Sequence, residues 1–250
     1  MRLESGHPVT RFDQIDSTNA EARRLAELGE RGPLWIWAAA QTGGRGRMGR
    51  SWVSEPGNLY ATFLFSIAAG AEVAAQVSFV AALAVHDTVT ALRPELAPRI
   101  KWPNDVLIDG AKFCGVLPEV LGANPTRIAI GCGVNIAHAP EGTPYPVTAV
   151  GADLPVESVL QKLDASLSNR LRIWDEGRGF SAIRQAWSEH ALGLGGEATA
   201  TTGTKENRGI FSGLAADGAL IMTERDGTVL HIHSGEVMFA ELEHARKRTR

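Results

Sequence analysis

With two cysteines, Cys114 and Cys132, in 250 residues, the chain has no disulfide framework, and both are read as reduced core thiols. It also lacks any stretch of about 18 apolar residues free of charge, and no N-terminal apolar run precedes a cleavage site, so neither membrane spanning nor export is supported. These absences point to a cytoplasmic protein. Excess positive charge is missing as well: the net charge is −3, which disfavours a general nucleic-acid binder. The basic end Arg246-Lys247-Arg248-Thr249-Arg250 reads as a solvated, disordered tail. No Gly-x-x-x-x-Gly-Lys-Ser/Thr occurs, so a P-loop is excluded and any nucleotide must be held another way.

What the chain does have is Gly43-Gly44-Arg45-Gly46-Arg47-Met48-Gly49-Arg50, a loop between two apolar runs. Glycines let backbone approach a ligand closely, and arginines offer planar forks that match phosphate or carboxylate oxygens. The loop reads as an anion grip. Its Gly44-x-Gly46-x-x-Gly49 spacing also fits a dinucleotide fingerprint, which needs a strand before it and a helix opening at the third glycine. Leu34 to Trp37 supplies a strand, but the turn-rich Ser51 to Asn58 follows where the helix should be, so that reading fails.

Period and punctuation organise the rest. Val9 to Gln14 reads as a strand, and Ser17-Thr18-Asn19 opens a helix to about Glu30, with Thr18 and Glu21 at capping-box spacing. Asn58 to Ile67 reads as an alternating strand, Val73 to Leu92 as a long apolar helix, and Arg99 to Trp102 as a strand. Asp109-Gly110 marks a hairpin, and Arg127 to Ile136 reads as a further strand. A Pro/Gly-rich loop over residues 137–155 precedes two helices, Ser158 to Glu176 and Phe180 to Leu192. From about residue 195, short glycine-punctuated strands predict a small all-β module. The expected division is 1–194 and 195–250.

Lys101-Trp102-Pro103-Asn104-Asp105 interrupts a strand with proline and sets an amide and a carboxylate at a turn, although Pro, Asn and Asp are also ordinary turn residues. Lys112 lies just past the hairpin, within reach of the face that carries the arginines. Cys114 and Cys132 lack a nearby histidine that would make a thiolate, and His231 and His233 lack further metal ligands.

In this order, Ser17-Thr18-Asn19, Gln41 to Trp52, Lys101 to Asp105, Lys112-Phe113-Cys114-Gly115 and Gly131-Cys132-Gly133-Val134-Asn135-Ile136, the sequence resembles the biotin protein ligases. The resemblance covers about residues 10–242. It implies an α+β fold, a mixed β-sheet flanked by helices as in class II synthetases, with a small C-terminal β-barrel. It also implies the ligase-only form without a helix-turn-helix repressor domain. Biotin and ATP would be the substrates with Mg²⁺, and a biotin carboxyl carrier protein of acetyl-CoA carboxylase and related carboxylases the acceptor. Neither DNA nor membrane is expected as a partner, and homodimerisation stays open.

Carried over by motif, Ser17, Thr18, Asn19, Gln41, Gly44, Arg45, Gly46, Arg47, Lys112 and Gly115 are expected around biotin. Arg50, Trp52, Lys101, Asn104, Asp105 and Asn135 are expected around the nucleotide, and Arg45, Arg47, Lys112 and Asp105 are expected to act in catalysis. Asp105 has two open roles, binding Mg²⁺ or helping to deprotonate the acceptor lysine. Lipoate protein ligase is the nearest rival, but its arginine-serine-triple-glycine run is missing. A nucleic-acid module would leave Lys101 to Asp105 without a role, and an inactive carrier-binding scaffold stays open as a third reading, separated by biotin-dependent pyrophosphate release.

Overall fold

The computed structural model describes residues 2–242, so the basic tail lies outside the described residues. Seven strands form the main sheet: β1 (Val9–Ile15), β2 (Leu34–Gln41), β3 (Leu59–Ile67), β4 (Arg99–Lys101), β5 (Asp105–Ile108), β6 (Ala111–Gly122) and β7 (Thr126–Val134). Their order is β1-β2-β3-β7-β6-β5-β4, with β1 and β2 parallel and the other neighbours antiparallel. Helix α1 (Thr18–Glu27) connects the parallel pair, as such a crossover requires.

Helix α1 covers one face, where Ala22 and Ala26 pack on Leu34, Ile36, Leu64 and Ala129. Helices α2 (Val77–Leu92), α3 (Val156–Trp174) and α4 (Phe180–Glu189) share the other face's core with Trp35, Phe63 and Ile130. Strand β3 therefore lies between two packed layers and is buried along nearly its whole length. The expected polar-out alternation fails because the strand is central and has no solvent face. The expected helix from Val73 divides into a 3₁₀ stretch, Ala71–Gln76, and then α2. Ala71–Leu92 is long and apolar enough to cross a membrane by length and composition, but 67% of that window is buried inside the fold.

Strands β8 (Glu197–Thr202), β9 (Lys205–Leu214), β10 (Leu220–Thr223), β11 (Val229–Ile232) and β12 (Glu236–Phe239) form an antiparallel sheet in the order β11-β10-β9-β8-β12. This sheet shares core with the helices. Phe211, Leu220, Met222 and Phe239 belong to the same buried cluster as Phe79 and Phe180, and Trp102 Nε1 donates to the Gly218 carbonyl at 3.2 Å. The second sheet therefore presses β12 against the rim of the first, where the arginine loop lies.

Candidate active site

Parallel pairing sets Ile15 beside Gln41, so the chain leaves β1 and β2 at one edge of the sheet. Because α1 starts immediately after β1, Ser17, Thr18 and Asn19 emerge next to Gln41. Ser17 is the N-cap, accepting from the Ala20 amide at 3.4 Å. This corrects the expected cap at Thr18, whose side chain is turned instead to the β2 end. The Thr18 amide and Oγ1 donate to Gln41 Oε1 at 2.8 and 3.2 Å, Gln41 Nε2 donates to Ser54 Oγ at 2.9 Å, and Ser54 Oγ donates to the Trp52 carbonyl at 3.0 Å. Thr62 on β3 lies 2.8 Å from Thr18 Oγ1 and donates to Asn19 Oδ1 at 2.7 Å, and Asn19 Nδ2 donates to the Leu117 carbonyl at 3.2 Å. Burial makes each of these bonds expensive to lose, so the relay holds its donors and acceptors in fixed directions.

The arginine loop closes on itself as a narrow hairpin. Gly43 donates to the Asp16 carbonyl at 2.8 Å, Trp52 to the Gly44 carbonyl at 2.9 Å, Gly46 to the Arg50 carbonyl at 2.7 Å, and Arg45 bridges Ser51. A side chain at Gly44 would bring its Cβ within 2.5 Å of the Trp52 carbonyl oxygen, which only glycine avoids. At the tip Met48 takes a left-handed φ of 57° and is 75% exposed. Arg47 turns inward and donates to Asn104 Oδ1 at 3.2 Å, and its burial pushes the guanidinium pKa down. Arg50 turns to Glu236 on β12 in an ion pair.

On the opposite wall, the β5–β6 hairpin folds Lys112 back over Asp105, with Nζ to Oδ1 at 2.7 Å. The same ammonium lies 5.3 Å from the Trp52 ring centroid and 5.7 Å from that of Tyr145. Lys101 stands opposite Asp105 in the β4–β5 register. The Asn104 side-chain amide donates to the Val116 carbonyl, clipping the proline turn to β6.

Between these walls lies a cavity of ≈ 520 Å³, within the usual size of small-molecule sites. Ser17, Thr18, Asn19, Gln41, Arg45, Gly46, Arg47, Arg50, Trp52, Lys101, Asn104, Asp105, Lys112 and Gly115 all line it. Gly44 packs behind the lining, and Asn135 stands apart, buried, with Nδ2 donating to the Thr148 carbonyl at 3.2 Å. Sequence reasoning missed Tyr145, set between Pro144 and Pro146 in a long loop, and the β12 segment from Gly235 to Met238. Tyr145 gave no signal beyond its flanking prolines; the Lys112 amide draws that loop in by donating to the Pro146 carbonyl at 2.9 Å.

Both cysteines are buried, and burial pushes the Cys132 thiol up to about 12 and the Cys114 thiol well above its ordinary value, so neither is a nucleophile. Among the described residues no group of three His, Cys, Asp or Glu side chains could hold a metal ion. The arrangement offers cations converging on one small-molecule chamber, an aromatic wall and a neutral polar relay at one end. Such a chamber suits a ligand with a polar head and an anionic end.

Residues 11–135 match the biotin/lipoate A/B protein ligase family, and residues 193–239 match the biotin protein ligase C-terminal domain. The chain is similar to the biotin--[acetyl-CoA-carboxylase] ligase of Paracoccus denitrificans, 42% identical over 90% of this chain and 98% of that protein. It is also similar to the bifunctional ligase/repressor BirA of Bacillus subtilis, 28% identical over 93% of this chain and 74% of that one. Among solved structures, the biotin protein ligase from Aquifex aeolicus in complex with biotin and ATP superposes with a TM-score of 0.78 at 26% identity, covering 93% of this chain and 98% of that one.

Proposed function

The chain belongs to the biotin/lipoate A/B protein ligase family as a biotin protein ligase, and from that membership we propose how its residues divide the work. The enzyme activates biotin with ATP as biotinyl-AMP and transfers the biotinyl group to a lysine of a carboxylase biotin carrier. In the first step a biotin carboxylate oxygen attacks the α-phosphorus and pyrophosphate leaves. In the second, the neutral acceptor amine attacks the acyl carbon, the bond to the bridging oxygen breaks, and AMP leaves with that oxygen.

We assign the ureido head of biotin to the relay of Ser17, Thr18, Asn19 and Gln41, and its chain to the loop from Gly44 to Arg47. The observation that carries this assignment is the joint placement of that relay, Arg47 and Lys112 on one cavity. Lys112 is placed to meet the carboxylate and the α-phosphate, while Arg45, Arg47 and Arg50 meet the phosphates; preorganised cations of this kind stabilise charge as it develops. Trp52 carries the adenine, and Asn104 and Lys101 complete its surroundings. Asn135 acts at a distance by holding the segment that presents Tyr145, since its backbone carbonyl also accepts from Val150 at 3.0 Å.

Asp105 holds Lys112 in the first step and accepts the acceptor's proton in the second. Lys112 engages only Oδ1, which leaves Oδ2 to take that proton. Mg²⁺ would accompany ATP and add positive charge at its phosphates without a dedicated protein cage. The second sheet walls the nucleotide side through Gly235 to Met238, and the reaction runs in the cytoplasm.

Pyrophosphate release from ATP tests the reading. Purified chain should release it with biotin and stay silent with lipoate or octanoate. Equal release with all three acids, or with none, contradicts it.

A further inference from the structure

Gly115 and Gly133 face one another directly across the β6–β7 ladder, and the Trp52 ring rests on the bare backbone they leave. A Cβ on Gly133 would come within 2.6 Å of Trp52 Cε2 and Nε1 and 2.9 Å of Cζ2, and one on Gly115 within 3.1 Å of Cζ3. Real side chains do not approach as closely as 2.6 Å, so the indole fits only because residue 133 is glycine, whereas at 115 a Cβ would require the ring to give by a few tenths of an ångström. Hydrogen bonding does not fix the ring. Trp52 Nε1 is buried and has no partner among the described residues, and the bond from the Trp52 amide to Gly44 holds only the backbone at its root.

We propose that Gly133, paired with Gly115, is a positioning residue that seats the Trp52 indole flat as the stacking platform for the nucleobase. This rests on the assignment of Trp52 to adenine. The two glycines are not equivalent. A Cβ at Gly115 also meets Lys112 Cε and Nζ at 3.3 Å, so a substitution there disturbs the ammonium as well, whereas the three nearest atoms at Gly133 all belong to Trp52. Gly133 is not among the positive-φ residues, so alanine suits the backbone there and its effect comes from contact with the ring. A platform set by shape gives ATP affinity through the ring, whereas the biotin head is assigned to the side chains of Ser17, Thr18, Asn19 and Gln41.

The test is a double-mutant cycle of Gly133→Ala and Trp52→Ala, read as KM for ATP, kcat, biotin affinity and melting midpoint. Trp52→Ala should raise the ATP KM about 5- to 150-fold, the usual range for one lost base–aromatic stack. Gly133→Ala should raise it comparably with biotin affinity unchanged within about twofold, and the double variant should be no worse than Trp52→Ala alone. Additive effects, or an ATP KM unmoved by Gly133→Ala while Trp52→Ala raises it, overturn the seat. An ATP KM unmoved by Trp52→Ala overturns the assignment of Trp52 to adenine instead. Should Gly133→Ala fail to fold, adding Trp52→Ala must restore folding, since the collision is with the indole; failure to rescue also overturns the seat.

Discussion

Lys112 and Asp105 are 2.7 Å apart on one cavity wall, so the proposed chemistry of each depends on the other. Lys112→Gln removes the ammonium assigned to the reacting carboxylate and phosphate. It should lower the rate of biotinyl-AMP formation about 10²- to 10³-fold, as losing one preorganised donor does, in a single-turnover assay without acceptor. Asp105→Asn should slow transfer to the acceptor more than adenylate formation; equal losses in both half-reactions would count against its role as proton acceptor. Thr62 makes a quieter contribution. Thr62→Val leaves the buried Thr18 and Asn19 groups short of a partner, so unfolding should cost about 1–3 kcal/mol less and biotin should bind more weakly. At this scale the charged residues were legible because glycine, arginine and lysine clustered in recognisable runs. Thr62 and Tyr145 were not, since a single threonine in a strand and a tyrosine between prolines have no local pattern that marks a site.

Strand and helix elements were read well where their surroundings were ordinary and poorly where tertiary placement overrode them. The strand–helix–strand succession of β1, α1 and β2 and the Asp109-Gly110 hairpin follow from period and turn residues, but the parallel pairing of β1 with β2 and the burial of β3 on both faces depend on strand order, which no local window carries. The arginine loop is the element on which ligand should act most. Three guanidinium groups share this short loop and among the described residues only Arg50 has a carboxylate partner, so an arriving anion should relieve the remaining repulsion and residues 43–51 should be cleaved more slowly by protease once biotinyl-AMP is bound. Equal cleavage rates with and without ligand would contradict this.

Elsewhere, His86 on α2 stacks on His190, just past the end of α4, with ring centroids 3.8 Å apart beside Asp87 and Arg170. Burial, followed by the charge of His86, pulls the His190 pKa below its ordinary 6.5. The unfolded chain then binds more protons than the folded one just below pH 6.5, so stability is fully present above that value and declines as pH falls through it. Urea unfolding from pH 7.5 to 5 should show this decline, and His190→Asn should flatten it.

Across the whole molecule, the two sheets share one core and one cavity. Gly218 lies against Phe79 and Phe180, Gly193 beneath the Phe239 ring, and Glu236 meets Arg50 at the cavity rim. The change in composition near residue 195 revealed a second β element but gave no sign that β12 walls the site, because the contact joins residues far apart in sequence. The Arg50–Glu236 pair is half exposed on each side and adds little to stability. Glu236→Gln should therefore leave the melting midpoint within about 1 °C while changing the ATP KM, which separates a site contact from a structural one.

The most direct test of the account supplies the purified chain with biotin and ATP, removes the small molecules by rapid desalting, and then adds a biotin carrier domain. The account predicts biotinyl-AMP retained on the enzyme and, on addition of the carrier, one biotinyl group on a single carrier lysine with AMP released. An enzyme that retains no adenylate, or a carrier whose mass is unchanged, would contradict it.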